Sequence, residues 1–214
     1  MFHILRHELR ILFREPRFWI PFVIPPIIMA LSQFIAVSRY GAGIMNGMQG
    51  YMMLLLGCLM APMGAPLAAD SFAGERERNS LELLQLLPVK ASTLFWGKLL
   101  AILPFPIVFA VMVQLAYWLA HPEIPMTEAV ASFLGGLSAV FLMNAFSLLM
   151  SLKMKTARSA THVTLFFIVP LLLLVQIGYE FFLQGLLFPI LFLIGSVVTC
   201  VVASLLGLRK FVSL

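Results

Sequence analysis

The chain has 214 residues, of which 62% are hydrophobic and 11% are charged, and its formal net charge is +5. A soluble globule of this size needs far more polar residues to cover its surface, and a mean hydropathy of +1.03 is typical of a protein that crosses a membrane repeatedly. The composition therefore excludes a soluble enzyme or a soluble binding module. It predicts one all-helical membrane domain over residues 1–214.

Residues 1–17 are predicted to form an amphipathic helix that lies in the headgroup layer of the membrane. Leucine and phenylalanine residues make one apolar stripe, and Arg6, Arg10 and Arg14 flank it with guanidinium groups that can reach lipid phosphates. Pro16 then turns the chain toward the membrane. This segment is therefore predicted to be an interfacial helix in contact with membrane lipid.

Six segments are apolar and long enough to cross the hydrocarbon, which takes about 20 residues of helix. The predicted spans are residues 18–38, 47–69, 99–119, 129–152, 160–179 and 185–208. Prolines in most of them predict kinked helices, whose freed carbonyls bond to neighbouring helices. No ionisable side chain falls near the middle of a span, so a carrier driven by an ion gradient is not favoured.

The basic residues lie on one predicted side of the membrane. All but Arg39 of the 14 lysines and arginines fall in the two termini, in the loop after the second span or in the loop after the fourth. By the positive-inside rule, the termini and these two loops are expected to be cytoplasmic, with the chain integral to the inner membrane of the cell. Because the positive charge follows the loops, nucleic-acid binding is not predicted.

Small residues recur at every fourth position in the second and sixth spans. The two stripes include Gly57, Ala61 and Ala65 and, in the sixth span, Gly195, Ala203 and Gly207. Small residues at this spacing allow helix backbones to approach closely. Both stripes are predicted to be helix-packing faces, either static or shifting during a transport cycle.

A charged island at residues 70–98 separates the second span from the third. It opens with a block of alternating charge that consists of Gly74, Glu75, Arg76, Glu77 and Arg78. Asn79, followed three residues later by Glu82, fits a capping box and predicts that a helix begins near Ser80. Leucines at helical spacing give this helix an apolar face that includes Leu81, Leu84 and Leu87. Because a helix ended so soon by Pro88 is marginal alone in water, it needs the membrane or a partner's groove to pack against.

This order of residues resembles the signature of the type II (ABC-2-like) permease subunits of ATP-binding-cassette exporters. In that family a Gly-Glu-Arg/Lys-Glu-Arg block leads into a hydroxyl residue, Leu-Glu and a leucine- and proline-rich segment; here Asn79-Ser80 replaces the more usual Gly-Thr. The resemblance implies that residues 70–98 form the coupling segment that contacts a separate ATPase subunit, which binds the ATP and Mg. It also implies that the interfacial helix leans on that ATPase.

Several further expectations concern function. Six spans are too few to enclose an alternating pathway, so a dimer with a second permease half, identical or paralogous, is expected. The polar residues of the spans are neutral, which suits a hydrophobic or amphiphilic substrate. Gly97-Lys98 has Ser92 where a phosphate-binding loop needs glycine, so this chain is not expected to hydrolyse ATP, to hold a cofactor or to be an enzyme.

Two alternatives stay open. The haem-exporter membrane subunit of cytochrome c maturation shares a Ser-Leu-Glu-x-Leu-x-Leu-Leu-Pro run, which this chain has at residues 80–88. A structural or signalling membrane protein without transport activity would carry similar packing stripes.

Overall fold

The computed structural model describes residues 49–79, 91–183 and 185–212, and this part of the chain is helical almost throughout and contains no strand. Four of its helical stretches are long and apolar enough to cross a membrane: Gln49–Glu77, Thr93–Ala120, Met126–Lys153 and Ala157–Gly178. The second is interrupted at Leu103, and the fourth lies within a longer helix. A shorter apolar helix covers Leu187–Ala203. The all-helical membrane class is thereby confirmed, and four of the six predicted spans are seen as candidate spans. The interfacial helix, the first span and the island residues 80–90 lie outside the described residues.

We label the helices in chain order. They are α1 (Gln49–Glu77), α2 (Ala91–Ile102), α3 (Pro104–Ala120), α4 (Met126–Lys153), α5 (Ala157–Leu183) and α6 (Leu187–Val212). The second predicted span is α1, the third is α2 with α3, and the remaining three are α4, α5 and α6. The break between α2 and α3 falls at Leu103, although this residue keeps a helical backbone with φ of −53° and ψ of −38°, because Pro104 has no N–H to donate to a carbonyl of the preceding turn.

Helix α1 is continuous but irregular. It contains a 3₁₀ segment at Ala61–Gly64 and a π segment at Asp70–Gly74. Pro62 and Pro66 lie at the starts of the 3₁₀ segment and of the helical turn after it, and proline has no N–H to donate to a preceding carbonyl. Each proline therefore leaves one carbonyl of the preceding turn without its usual donor.

Helix α4 is the centre of the bundle and packs against α1, α3, α5 and α6. Most of its buried residues are alanine, glycine or serine, including Ala131, Gly135, Gly136 and Ala139. Side chains this small allow several helices to approach one backbone. The outward faces of α5 and α6 are instead covered by large apolar residues such as Phe166, Ile177 and Leu187.

Side chains of α4 donate hydrogen bonds to backbone carbonyls of α1 along most of its length. The bonds are Ser132 Oγ to Gly50 O at 3.1 Å, Asn144 Nδ2 to Ala61 O at 3.3 Å, Ser147 Oγ to Ala65 O at 3.0 Å and Ser151 Oγ to Ala69 O at 2.7 Å. The paired residues are 82 or 83 positions apart in every case, so α1 and α4 run parallel in constant register. We call this set the carbonyl ladder.

Gln114 of α3 also forms hydrogen bonds where α1 and α4 meet. Its Nε2 donates to Met53 O at 3.2 Å and to Ser132 O at 2.8 Å, so it joins α3 to both α1 and α4. The amide fits because two glycines face it: a Cβ added to Gly57 or to Gly136 would collide with the Gln114 side chain. The absence of side chains at these positions therefore makes room for a buried polar bridge.

The small-residue stripe of α1 lies at this contact. Gly57, Ala61 and Ala65 are buried, and a Cβ on Gly57 would lie 3.0 Å from the Cα of Gly136. The stripe of α6 is placed differently, because Gly195 faces outward with nothing within 4 Å of its Cβ position, although Ala203 is buried.

The buried face of α6 includes Ser196, Cys200 and Ala203, so for Gly195 the predicted packing role is not seen in the described part of the chain. Small residues occupy two adjacent faces of α6, and spacing alone does not distinguish them. The surroundings of Gly207 lie outside what is described.

The charged island also differs from its prediction. The second span was expected to end at residue 69, but α1 continues to Glu77, so the charged block forms its last turns. Asn79 has φ of 55°, the left-handed conformation of residues that follow a helix C-terminus, whereas an N-cap residue adopts extended backbone. Its N–H bonds back to Arg76 O at 3.1 Å. Asn79 therefore ends α1, and the predicted N-cap geometry is not observed.

We expect Gly57→Ala to destabilise the protein by about 1 to 3 kcal/mol, because the added methyl group must displace Gln114 and the α4 backbone. Gly195→Ala is the matched control, since its methyl group enters open space, and little change is expected. The stabilities of the two purified variants are measured by unfolding them in detergent while circular dichroism reports their helix content. Equal stability of the two variants would contradict the close contact.

Candidate functional site

The π segment of α1 is supported by one hydroxyl of α4. The amides of Phe72 and Ala73 both donate to Ser151 Oγ, at 3.0 and 2.9 Å, and Ser151 Oγ donates to Ala69 O at 2.7 Å. In a regular helix the Ala73 N–H would bond directly to the Ala69 carbonyl. Ser151 is therefore inserted into the backbone ladder of α1. This insertion explains the π segment and fixes the helix end that carries the charged block.

Arg76 holds the end of α4. Its guanidinium donates from Nη1 to Met154 O at 2.6 Å and from Nη2 to Leu152 O at 3.1 Å. Helix α4 ends at Lys153, where the last carbonyls have no partners within the helix. A positive charge at this end also matches the helix dipole. Arg76 thus donates to two carbonyls at the end of α4, where the helix dipole places partial negative charge.

Glu77 holds the start of α5. Its Oε1 accepts a hydrogen bond from Ala157 N at 2.9 Å. Thr156 caps the same terminus, because its Oγ1 accepts from Ser159 N at 3.2 Å. The first amides of a helix lack internal acceptors, and a carboxylate is favoured there by the dipole. Neighbouring residues of the charged block therefore bind the two sides of the α4–α5 loop.

Lys98 connects α2 to the same region. The third span was predicted to start at residue 99, but α2 begins at Ala91 and the side chain of Lys98 is only 2% exposed. Its Nζ donates to Ser71 O at 2.8 Å, lies 3.5 Å from Glu75 Oε1, and lies 5.2 Å from the centre of the Phe72 ring. A buried ammonium group is tolerated when it is bonded and paired in this way.

The remaining members of the block differ in exposure. Arg78 Nη2 lies 3.3 Å from Asp70 Oδ2, and 69% of the Arg78 side chain is exposed, so this ion pair is screened by water. Gly74 is buried, and a Cβ there would collide with the Asp70 carboxylate. The predicted coupling residues Ser80, Leu81, Glu82, Leu84 and Leu87 lie outside the described residues.

Sequence reasoning missed two contributors to this site. Ser151 follows Ser147 by four residues, and that spacing of hydroxyls on a small-residue helix is the signal that could have indicated a bonding face. Lys98 was assigned to a loop, since hydropathy alone does not show that an ammonium group will be paired inside a bundle.

The opposite end of the bundle carries a smaller polar cluster. Gln49 Nε2 donates to Glu123 Oε1 at 2.7 Å, and His121 Nδ1 lies 3.0 Å from the same oxygen. Hydrogen bonds from its own backbone amide, from His121 and from Gln49 hold the pKa of Glu123 below its usual value. The cluster joins the start of α1 to the α3–α4 loop. Within the described ranges, no group of three or more His, Cys, Asp or Glu residues could hold a metal ion.

The fold and the site define a polytopic helical membrane protein whose charged block is built into the packed ends of its helices. Over residues 1–181 the chain matches the family of ABC-2 type transporters, and it belongs to that family. Comparison with curated proteins finds no match. Family membership confirms the resemblance drawn from the charged island and makes the chain a transport permease integral to a membrane.

We expect Ser151→Ala to destabilise the protein by about 1 to 3 kcal/mol, because two amides and a carbonyl of α1 lose a buried partner. Ser138→Ala is the control: Ser138 is also buried on α4, but its hydroxyl donates to Leu134 O of its own helix. Loss of the Ser138 hydroxyl is expected to lower the free energy of unfolding by less than about 1 kcal/mol. Denaturant midpoints in detergent measure both. An equal cost would show that Ser151 does not support the π segment.

Proposed function

We propose that this chain is the permease half of an ATP-driven exporter, and that ATP is hydrolysed by a separate ATPase subunit that binds ATP and Mg. The observation that carries the proposal is the bonding of the charged block to three neighbours. Arg76 binds the end of α4, Glu77 binds the start of α5, and Glu75 lies beside Lys98 of α2. A displacement of this block by an ATPase would reach all of these helices at once.

We further propose that two such halves form the working unit, with both termini and the charged block on the cytoplasmic side of the inner membrane. The α5 helix supports this arrangement, because the Gln176 side chain is exposed on a face that otherwise carries apolar residues such as Phe166 and Ile177. An amide directed into lipid is costly, and a second half, identical or paralogous, would cover it. We also propose that each half has six membrane spans.

The proposed substrate is hydrophobic or amphiphilic and is moved out of the cytoplasm. Gln114 and Asn144, which bridge helices in the interior of the described bundle, are neutral and offer no ion pair for a charged solute. The buried cation Lys98 lies instead beside the charged block and Glu75. Haem export for cytochrome c maturation remains the second candidate, and the Ser-Leu-Glu-x-Leu-x-Leu-Leu-Pro run at residues 80–88 favours it.

We expect Leu84→Asp to release the ATPase from the detergent-solubilised complex, because a carboxylate in an apolar docking face must lose its water without gaining a partner. Gln85→Asp is the matched control, since it adds the same charge at the neighbouring position, off the spacing of Leu81, Leu84 and Leu87. Copurification of the ATPase with the tagged permease, and ATP hydrolysis by the purified complex, are measured for both variants.

Unchanged copurification and hydrolysis in Leu84→Asp would contradict the coupling role of residues 80–87. If the wild-type chain itself copurified with no ATPase and moved substrate without ATP, the exporter proposal would be wrong.

A further inference from the structure

The loop between α4 and α5 is short and is held from outside by residues adjacent in sequence. Helix α4 ends at Lys153 and α5 begins at Ala157, so only residues 154–156 join them. Arg76 bonds carbonyls on the α4 side of this loop, and Glu77 bonds an amide on the α5 side. The last turn of α1 therefore touches both helices at the point where the chain reverses.

The signs of the two charges suit the helix ends that they hold. Arg76 meets the carbonyls at a helix C-terminus, and Glu77 meets an amide at a helix N-terminus, so each charge is stabilised by the dipole of a different helix. The planar guanidinium also reaches two carbonyls at once, which the single ammonium group of lysine does less well. Exchanging the two residues would place each charge at the wrong end.

The neighbouring charges make different contacts. Arg78 pairs with Asp70 of its own helix, and Glu75 lies beside Lys98 of α2. The hydrogen bonds from the block to the α4–α5 loop that are described above are made by Arg76 and Glu77. The charged residues of the island therefore have different partners, although in the sequence they form one block of alternating charge.

We propose that Arg76 and Glu77 are positioning residues that fasten the α4–α5 loop to the coupling segment, so that its displacement moves α4 and α5 together with α1. This role rests on the proposed function, and it assigns the two charges to transmission within the permease, while docking of the ATPase falls to residues 80–87. The loop then has no independent movement: residues 152–157 follow the last turn of α1. Loss of Glu77 frees the start of α5, and loss of Arg76 frees the end of α4.

Hydrogen–deuterium exchange on the complex with its ATPase, in lipid nanodiscs, tests this role. In the wild type, ATP with vanadate is expected to change exchange in residues 70–79 and 153–160 together. In Glu77→Ala, exchange at Ala157 should rise about tenfold, because this amide loses its acceptor. The nucleotide response of residues 153–160 should also be lost, whereas that of residues 70–79 should persist. In Arg76→Ala, which removes the bonds to the end of α4, the nucleotide response of residues 153–160 should also be lost.

Two further variants separate positioning from general stability. Glu77→Gln keeps an acceptor oxygen and should restore slow exchange at Ala157 and most of the nucleotide response. Arg78→Ala removes an exposed charge from the same turn and should leave exchange at Ala157 slow. ATPase copurification with each variant shows that the complex has assembled.

The outcomes are distinct. If the loop of Glu77→Ala still responds to nucleotide, with or without faster exchange at Ala157, the positioning role is wrong while the exporter proposal stands. If neither segment of the wild type responds, the coupling function fails, and the positioning role fails with it.

Discussion

The need to satisfy every backbone polar group inside a bilayer governs this structure. Two prolines and a π segment make α1 an imperfect helix, and lipid offers its carbonyls no donor. The donors come from α4, whose hydroxyls and one amide bond to Gly50, Ala61, Ala65 and Ala69 of α1 in constant register. At the π segment, Ser151 supplies the partners that the regular helical bond between Ala73 and Ala69 would have supplied, and the other bonds hold the two helices in the same register.

The same constraint positions the charged block. Because Ser151 replaces the missing helical bond in the π segment, the last turns of α1 are fixed relative to the end of α4. Arg76 and Glu77 can then reach termini that would otherwise leave carbonyls and amides without partners. The membrane-buried contact and the charged contact are therefore parts of one connection between α1 and α4. A permease of this family that transmits force from an ATPase would use that connection directly.

The broad architecture could be predicted from the sequence, because hydropathy and the proportion of charged residues report on burial in lipid. Four of the six apolar spans were recognised in this way. The stripe at Gly57, Ala61 and Ala65 was recognised from the spacing of small residues, and the family from the motif of the charged island. The contacts of the charged block were not recognisable. Its motif indicates a coupling region, but nothing local shows that Glu77 meets Ala157, 80 positions away.

Other features depended on tertiary contacts. Asn79 has the right neighbours for an N-cap, yet α1 extends to Glu77 because α4 supports the π segment, and Asn79 then follows the end of that helix. Gly195 lies on a periodic stripe, but the adjacent face with Ser196 and Cys200 is the one that packs. Local propensity and residue spacing indicate several possible helix ends and packing faces. Contacts with neighbouring helices decide which of them is used.

Cross-linking across the carbonyl ladder tests most directly whether α1 and α4 act as one unit. A cysteine pair replacing Ala65 and Ser147, in protein lacking Cys58 and Cys200, should form a disulfide readily in the complex, both without nucleotide and after trapping with ATP and vanadate. The pair that replaces Ala65 and Ser151, one helical turn out of register, should react poorly in both states. Efficient cross-linking of the shifted pair, or loss of the Ala65–Ser147 cross-link on trapping, would contradict a fixed register between the two helices.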